Sequence, residues 1–181
     1  MKINVASIYS ITIILLSLMW PFSSSAENEL KVGDMAPAFK LIDQYQKTHK
    51  LDDYTGKWLV LYFYPKDDTP GCTTEACNFR DDIFKLHELG AEVLGVSLDS
   101  TESHAKFAEK HGLPFSLLAD PNAVVTREYG CLTSIGPIKY AKRHTFIIDP
   151  AGRLAKIYRD VKPKKHTGEV IADLQQLQSA K

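Results

Sequence analysis

Two cysteine residues five positions apart could carry out redox chemistry at sulfur. Cys72 follows Thr69-Pro70-Gly71, where an apolar run gives way to a helical pattern, and Cys77 comes five residues later. The first backbone N–H groups of a helix are unpaired and the helix dipole is positive there, and both favour a thiolate over a thiol. Cys72 is therefore a candidate nucleophile, and Cys77 is a thiol that could capture its oxidised form.

Each cysteine also has a structural explanation. Cys72 could be an inert buried thiol, and Cys77 could simply pack in the helix. A structural disulfide between them is a poor explanation, because so short a loop would constrain the unfolded chain only modestly. The third cysteine, Cys131, is expected to be a bystander in the core or in a loop.

The spacing of the pair has a mechanical consequence. On an intact helix, Cα atoms five residues apart are separated by about 8.6 Å. A disulfide requires Cα atoms within about 7 Å of each other. Joining Cys72 to Cys77 would therefore require the first helical turn to unwind, which would couple oxidation to a change of conformation.

The elements around the cysteines follow an α/β pattern. The apolar run Trp58–Tyr64 predicts a strand covered on both faces, and Thr73–Leu89 predicts a helix that ends at Gly90. The rest of the chain predicts a hairpin over 39–51, strands over 92–97, 115–119, 144–149 and 154–158, and helices over 100–111, 123–129 and 168–178. This order predicts a three-layer domain with a central mixed β-sheet flanked by helices, and a thioredoxin-like arrangement matches it best.

Composition is that of one neutral globular domain. The chain has 181 residues, 44% of them hydrophobic, with 22 basic and 22 acidic side chains. Without a basic excess, we expect no nucleic-acid partner. The six histidines lack close ligand spacing, so we predict neither a metal site nor a cofactor. Asp67 and Asp68 are expected in a solvated loop, and the carboxylate of Glu75 suits the positive end of a helix dipole.

The N-terminus predicts export. Lys2 precedes an uncharged apolar run over 8–20, and small residues then lead to Ala26. This pattern is typical of a secretory signal over 1–26, with cleavage after Ala26 and residues 27–181 as the domain. The apolar run is shorter than the ~20 residues of a spanning helix, although an uncleaved anchor is the alternative. We therefore expect a periplasmic protein with no stable membrane association after cleavage.

The motif around the first cysteine resembles that of a known family. Pro65-x-x-x-Thr69-x-x-Cys72 is similar to the active-site motif of the peroxiredoxins. Residues 70–77, with Gly71 before the first cysteine and Cys77 at the end, resemble the bacterioferritin comigratory protein or peroxiredoxin Q branch. The resemblance extends from Val32 to the C-terminal helix.

The resemblance implies a thiol peroxidase that reduces hydrogen peroxide and organic hydroperoxides. Cys72 would be the peroxidatic cysteine and Cys77 the resolving one, joined in an intramolecular disulfide. Arg143 resembles the family's active-site arginine, which would stabilise the thiolate and polarise the peroxide. Without the resemblance, a solvated charge at a strand edge is the favoured interpretation of Arg143. Thr69 would offer a hydroxyl to the peroxide oxygen.

Pro65, Pro70 and Gly71 would shape the site. The resemblance further implies a monomer that is reduced by thioredoxin or a similar dithiol. In an exported enzyme that reductant would be periplasmic or relayed across the membrane.

Two other functions fit a thioredoxin-like scaffold. One is an exported thiol–disulfide oxidoreductase, against which the lack of a Cys-x-x-Cys motif argues. The other is a binding or holdase module, whose activity would survive Cys72→Ser.

Overall fold

The computed structural model describes residues 29–179, so the predicted signal segment 1–26 and its cleavage site lie outside the described residues. The strands are β1 (Lys40–Asp43), β2 (Thr48–Lys50), β3 (Trp58–Phe63), β4 (Ala91–Ser97), β5 (Ser116–Ala119), β6 (Leu132–Ile135), β7 (Ile138–Ala141), β8 (His144–Ile148) and β9 (Leu154–Tyr158). The helices are α1 (Pro70–Asp81), α2 (Ile83–Glu88), α3 (Thr101–His111), α4 (Val124–Glu128) and α5 (His166–Ser179), with a 3-10 turn at Leu51–Tyr54.

Seven strands form one mixed sheet in the order β2-β1-β5-β4-β3-β8-β9. The strands β3, β4 and β5 run parallel, whereas β8 pairs antiparallel with β3 on its other side. All six residues of β3 are buried, which confirms the prediction of a strand covered on both faces. The predicted α/β fold with a central mixed sheet is confirmed.

The two faces of the sheet have separate hydrophobic cores. One core joins alternate β3 side chains, such as Val60 and Tyr62, to α1, α2, α3 and α5 through residues that include Phe79 and Leu174. The other core lies under α4 and contains Leu61, Phe63 and Phe146, among others. Cys72 belongs to the first core, so its helix is packed directly on the central strand.

The predicted helix over Thr73–Leu89 is wrong at its start and in its middle. Helix α1 begins at Pro70, because proline at the first helical position needs no hydrogen-bond acceptor and has a helical φ. At Asp82 the backbone leaves the helical region, with φ −101° and ψ 9°. Aspartate is a weak helix former. The Asp82 carboxylate accepts a hydrogen bond from Lys85 Nζ at 2.6 Å.

One hairpin is absent from the prediction. The strands β6 and β7 form a separate two-stranded sheet around a turn at Gly136, which has a φ of 57°. Ile135 and Ile138 at its tip are exposed, so the hairpin lacks the alternation of buried and exposed residues that marks a strand. The Gly136-Pro137 dipeptide was the available signal. Within residues 29–179, no helix is long and apolar enough to cross a membrane.

Candidate active site

The end of β3 and the start of α1 position Cys72. Thr69 has an extended backbone at the N-cap position, Pro70 is the first helical residue, and Cys72 lies in the first turn, where the sequence places it. The Cys72 residue is buried, with 1% of its surface exposed. The sulfur is therefore close to the positive end of the helix dipole and largely shielded from water.

Arg143 brings a second positive charge to this sulfur. It precedes β8, and because His144 pairs with Phe63, Arg143 lies beyond the end of β3 beside α1. Its Nη2 donates a hydrogen bond to Cys72 Sγ at 3.2 Å, so a cationic donor faces this sulfur. Arg143 is thus not a solvated charge at a strand edge; its side chain is only 19% exposed.

Glu75 is a site residue that sequence reasoning missed. Its side chain is fully buried, and one carboxylate oxygen accepts a hydrogen bond from Arg143 Nη1. Burial raises the pKa of Glu75 to about 7, although the charge of Arg143 acts in the opposite direction. Its other oxygen has no hydrogen-bond partner among the described residues. A favourable helix dipole therefore does not account for Glu75. The available signal was its position three residues after Cys72, on the same helix face.

The guanidinium group of Arg143 connects these two side chains. Burial alone would lower the pKa of Arg143, but Glu75 and Cys72 together raise it above its ordinary value. The arginine therefore stays charged, and its two terminal nitrogens hold different partners. A lysine could supply the charge but could not span both groups with a rigid planar fork.

Gly71 leaves room for this arginine. A Cβ atom at Gly71 would lie 3.2 Å from Arg143 Nη2 and 3.8 Å from its Cζ. The same atom would lie 3.9 Å from Cγ of Pro163, so the position is enclosed on two sides. Any larger residue would press on the nitrogen that contacts Cys72.

Thr69 lies beside the site but donates elsewhere in this conformation. Its hydroxyl donates to the backbone carbonyl of Lys66 at 3.0 Å. A rotation of the hydroxyl is therefore needed before it can donate to a bound peroxide. Pro65 is half-buried after β3, and Pro70 is exposed at the start of α1.

The structure does not bring the two predicted redox cysteines together. Cys72 and Cys77 are both free thiols, and they lie within the continuous helix α1. Cys77 is half-buried. The separation that an intact helix imposes on residues five apart therefore applies to this conformation.

Cys131 lies in the core on the opposite face of the sheet. It is fully buried, and its thiol donates to the Tyr129 carbonyl at 3.4 Å. Burial raises the pKa of Cys131 well above its ordinary value, so this thiol remains neutral. These features agree with a bystander role.

The prediction of a solvated loop at Asp67 and Asp68 is wrong for Asp67. Only 7% of Asp67 is exposed, and its carboxylate accepts hydrogen bonds from Tyr64, Ser103 and His104. Asp68 is exposed, as expected. The loop before the site is therefore fixed to the rest of the fold.

Comparison with known proteins agrees with this geometry. A family model described as "AhpC/TSA family" matches residues 32–157. The chain belongs to the AhpC/TSA family.

Its relatives are peroxiredoxins. Peroxiredoxin Bcp from Bacillus subtilis (strain 168) is 46% identical over 152 residues, which cover 82% of this chain and 97% of that protein. A cysteine mutant of PrxQ from Xylella fastidiosa has a TM-score of 0.77 and 34% identity, over 84% of this chain and 98% of that one.

A third similar structure comes from work on the alkyl peroxide reduction activity of Xanthomonas campestris bacterioferritin comigratory protein. It has a TM-score of 0.73 and 34% identity, and covers 76% of this chain and 90% of that one. Membership of this family identifies the chain as a thiol-dependent peroxidase with a thioredoxin fold.

Proposed function

We propose that Cys72 is the peroxidatic nucleophile. Its thiolate attacks one peroxide oxygen, an S–O bond forms and the O–O bond breaks. The sulfur is oxidised to a sulfenic acid, and the leaving oxygen takes up a proton to give water or an alcohol. The observation that carries this assignment is the hydrogen bond from Arg143 Nη2 to Cys72 Sγ, in the first turn of a helix.

The same groups would stabilise the transition state. Negative charge moves from sulfur towards the leaving oxygen as the O–O bond breaks. Arg143, the backbone N–H of Cys72 and, after rotation, the Thr69 hydroxyl are the donors near that charge. Donors already oriented in a site shielded from water contribute more than the same donors in solution.

Cys77 is proposed to resolve the sulfenic acid. Its sulfur attacks Cys72 Sγ, an S–S bond forms, and the sulfenic oxygen leaves as water. The step requires the first turn of α1 to unwind, because the intact helix holds the two residues too far apart. An external dithiol then reduces the disulfide by thiol–disulfide exchange and is itself oxidised.

The substrates and the reductant follow from the family. Hydrogen peroxide and organic hydroperoxides are the proposed substrates, and the alkyl peroxide activity named for the Xanthomonas campestris relative supports the second class. The proposed reductant is thioredoxin or a similar dithiol, and the proposed state is a monomer. The signal-like N-terminus supports export, which would make the reductant a periplasmic or membrane-relayed dithiol.

Peroxide consumption by cysteine variants tests the chemistry. With excess dithiothreitol, wild type should consume hydrogen peroxide catalytically, and Cys72→Ser should abolish consumption. Cys131→Ser is the matched control and should retain the wild-type rate, because its sulfur lies in the other core. Catalytic turnover by Cys72→Ser would refute the assignment of the nucleophile.

Export is tested separately. The full-length protein would be expressed in a Gram-negative host, and the periplasmic fraction analysed by intact-mass spectrometry. We expect a periplasmic species that begins at Glu27. A full-length species retained in the membrane fraction would instead support the uncleaved anchor.

A further inference from the structure

The turn before the candidate nucleophile is attached to α3 by two adjacent carboxylates. Residues 66–69, here called the anchored turn, connect Pro65 to the first residue of α1. Asp67 binds the first part of α3, whereas Asp68 binds its end. The anchored turn therefore lies along one helix that has no part in the proposed chemistry.

The Asp67 carboxylate is the inner attachment. It accepts hydrogen bonds from the Tyr64 hydroxyl at 2.7 Å, the Ser103 hydroxyl at 2.7 Å and His104 Nδ1 at 2.9 Å. Because the carboxylate can only accept, the proton of His104 is assigned to Nδ1. The His104 side chain is fully buried and that of Asp67 is only 4% exposed, so few water molecules can replace these bonds.

The backbone of the anchored turn is attached as well. The Asp67 N–H donates to the Asp99 carboxylate at 3.0 Å. Asp99 is in turn held by the Ser97 hydroxyl at 2.6 Å, at the end of β4. Both the side chain and the main chain of Asp67 are therefore tied to buried parts of the sheet and of α3.

Asp68 supplies the outer attachment. Its carboxylate binds Lys110 at 2.5 Å and His111 at 2.9 Å. Asp68 has a φ of 57°, in the left-handed region that few residues other than glycine adopt. Exposed ion pairs contribute little, so the buried Asp67 is the stronger of the two attachments.

The far end of α1 is attached to the same helix. Arg80 Nη1 donates to the carbonyl of His111 at 2.6 Å. Two residues earlier, Asn78 Nδ2 donates to the Pro163 carbonyl at 3.0 Å. The part of α1 that must unwind for a Cys72–Cys77 disulfide lies between these contacts and the anchored turn.

We propose that Asp67 is a positioning residue that holds the anchored turn on α3 in both redox states. Only residues from Pro70 to Cys77 then rearrange, and Thr69 stays where it can meet the peroxide when α1 refolds. Asp67 touches neither sulfur nor substrate and acts through Thr69 and the start of α1. This inference rests on the proposed function, because it presupposes the Cys72–Cys77 disulfide.

Amide exchange followed by NMR tests the anchor without peroxide. Protein would be compared in its reduced form and after oxidation with diamide, a thiol oxidant. We expect the Asp67 amide to keep its protection on oxidation, while amides 73–77 exchange about tenfold faster or more. Loss of protection at Asp67 together with residues 73–77 would overturn the proposal, as would failure of diamide to form the disulfide.

Substitutions at Asp67 and Asp68 provide a second test of the proposal. Asp67→Asn removes the negative charge that accepts these hydrogen bonds and puts an NH₂ group in place of one carboxylate oxygen, with no change of shape. Stopped-flow fluorescence should show the peroxide reaction of Cys72 slowed about tenfold, with the resolution step no slower than in wild type. Asp68→Asn keeps a residue that tolerates the left-handed backbone and should change neither step more than about twofold.

Asp120→Asn is the matched control for a loss of stability. Asp120 is also buried and accepts hydrogen bonds from the Thr126 hydroxyl and N–H and from the Val124 N–H, outside the site. If Asp67→Asn and Asp120→Asn slow both steps equally, Asp67 serves stability alone and the proposal fails. A wild-type protein that forms the disulfide but consumes no peroxide would refute the proposed function and leave the amide-exchange result for the anchor valid.

Discussion

Arg143→Gln tests whether the arginine acts on the sulfur or only on its buried acidic partner. Arg143 donates to both Cys72 and Glu75, so its removal has two consequences. At the sulfur, one hydrogen bond between charged groups is lost, which corresponds to about 1.5–3 kcal/mol. The second-order rate constant for peroxide should therefore fall about 10- to 150-fold.

The second consequence is a loss of stability. Without Arg143, the buried carboxylate of Glu75 has no charged partner. Removal of one partner of a buried ion pair costs about 3–5 kcal/mol when the other stays charged, and less when it takes up a proton. Because Arg143 lowers the pKa of Glu75, its removal raises that pKa above about 7, so we expect urea unfolding to show a destabilisation that grows as the pH rises beyond 7.

A double mutant separates the two consequences. Arg143→Gln/Glu75→Gln removes the unpaired charge, so stability should recover while the peroxide rate stays low. The rate is measured by stopped-flow fluorescence at pH 8 with a single turnover of reduced protein. Arg159→Gln is the control, because Arg159 pairs with Glu29 at the surface, away from Cys72. Recovery of the rate in the double mutant would show that Arg143 acts only through Glu75, contrary to the proposed mechanism.

Three further substitutions probe the same site. The pKa of Glu75 is raised from 4.5 to about 7, so its proton stabilises the folded state at low pH. This proton contributes up to about 3 kcal/mol to the free energy of unfolding, and the contribution is lost as the pH rises from 4.5 through 7. Glu75→Gln should remove that part of the pH dependence of urea unfolding, and an unchanged profile would contradict the buried carboxylate. Gly71→Ala should slow the peroxide reaction a few-fold with little change in Tm, because the added methyl group would press on the flexible side chain of Arg143 at Nη2. A wild-type rate would show that this contact does not position Arg143. Asn78→Ala removes a hydrogen bond to Pro163 from a part of α1 that the proposal keeps helical, so disulfide formation should change less than about twofold, and a large acceleration would contradict the proposed limit of unwinding at Cys77.

The fold was largely predictable because its signals are local. A fully apolar run predicted β3. Caps and glycine stops predicted α3 to within one residue at its start and placed its end at His111, as observed. The boundary between α1 and α2 was not predictable from periodicity. The helical spacing of apolar residues continues on both sides of Asp82, although the backbone of Asp82 leaves the helical conformation. The β6–β7 hairpin escaped prediction because its tip is exposed and buries no alternating face.

Only the part of the site that depends on local helix geometry was predictable from the sequence. The position of Cys72 in the first turn follows from the local pattern of strand, Pro-Gly and helix. Its contact with Arg143, which is 71 positions away in the chain, depends on the pairing of β3 with β8. The burial of Glu75 and of Asp67 is likewise set by distant segments. Reasoning from neighbouring residues therefore placed Asp67 in solvent and explained Glu75 by the helix dipole.

The most direct test is mass spectrometry of the reduced protein after one equivalent of hydrogen peroxide. Rapid alkylation and proteolysis would then identify the linkage of each of the three cysteines. The proposed mechanism predicts a disulfide between Cys72 and Cys77, with Cys131 recovered as the alkylated thiol. A stable sulfenic acid at Cys72, or a disulfide to Cys131, would contradict the role of Cys77 and the proposed unwinding of α1.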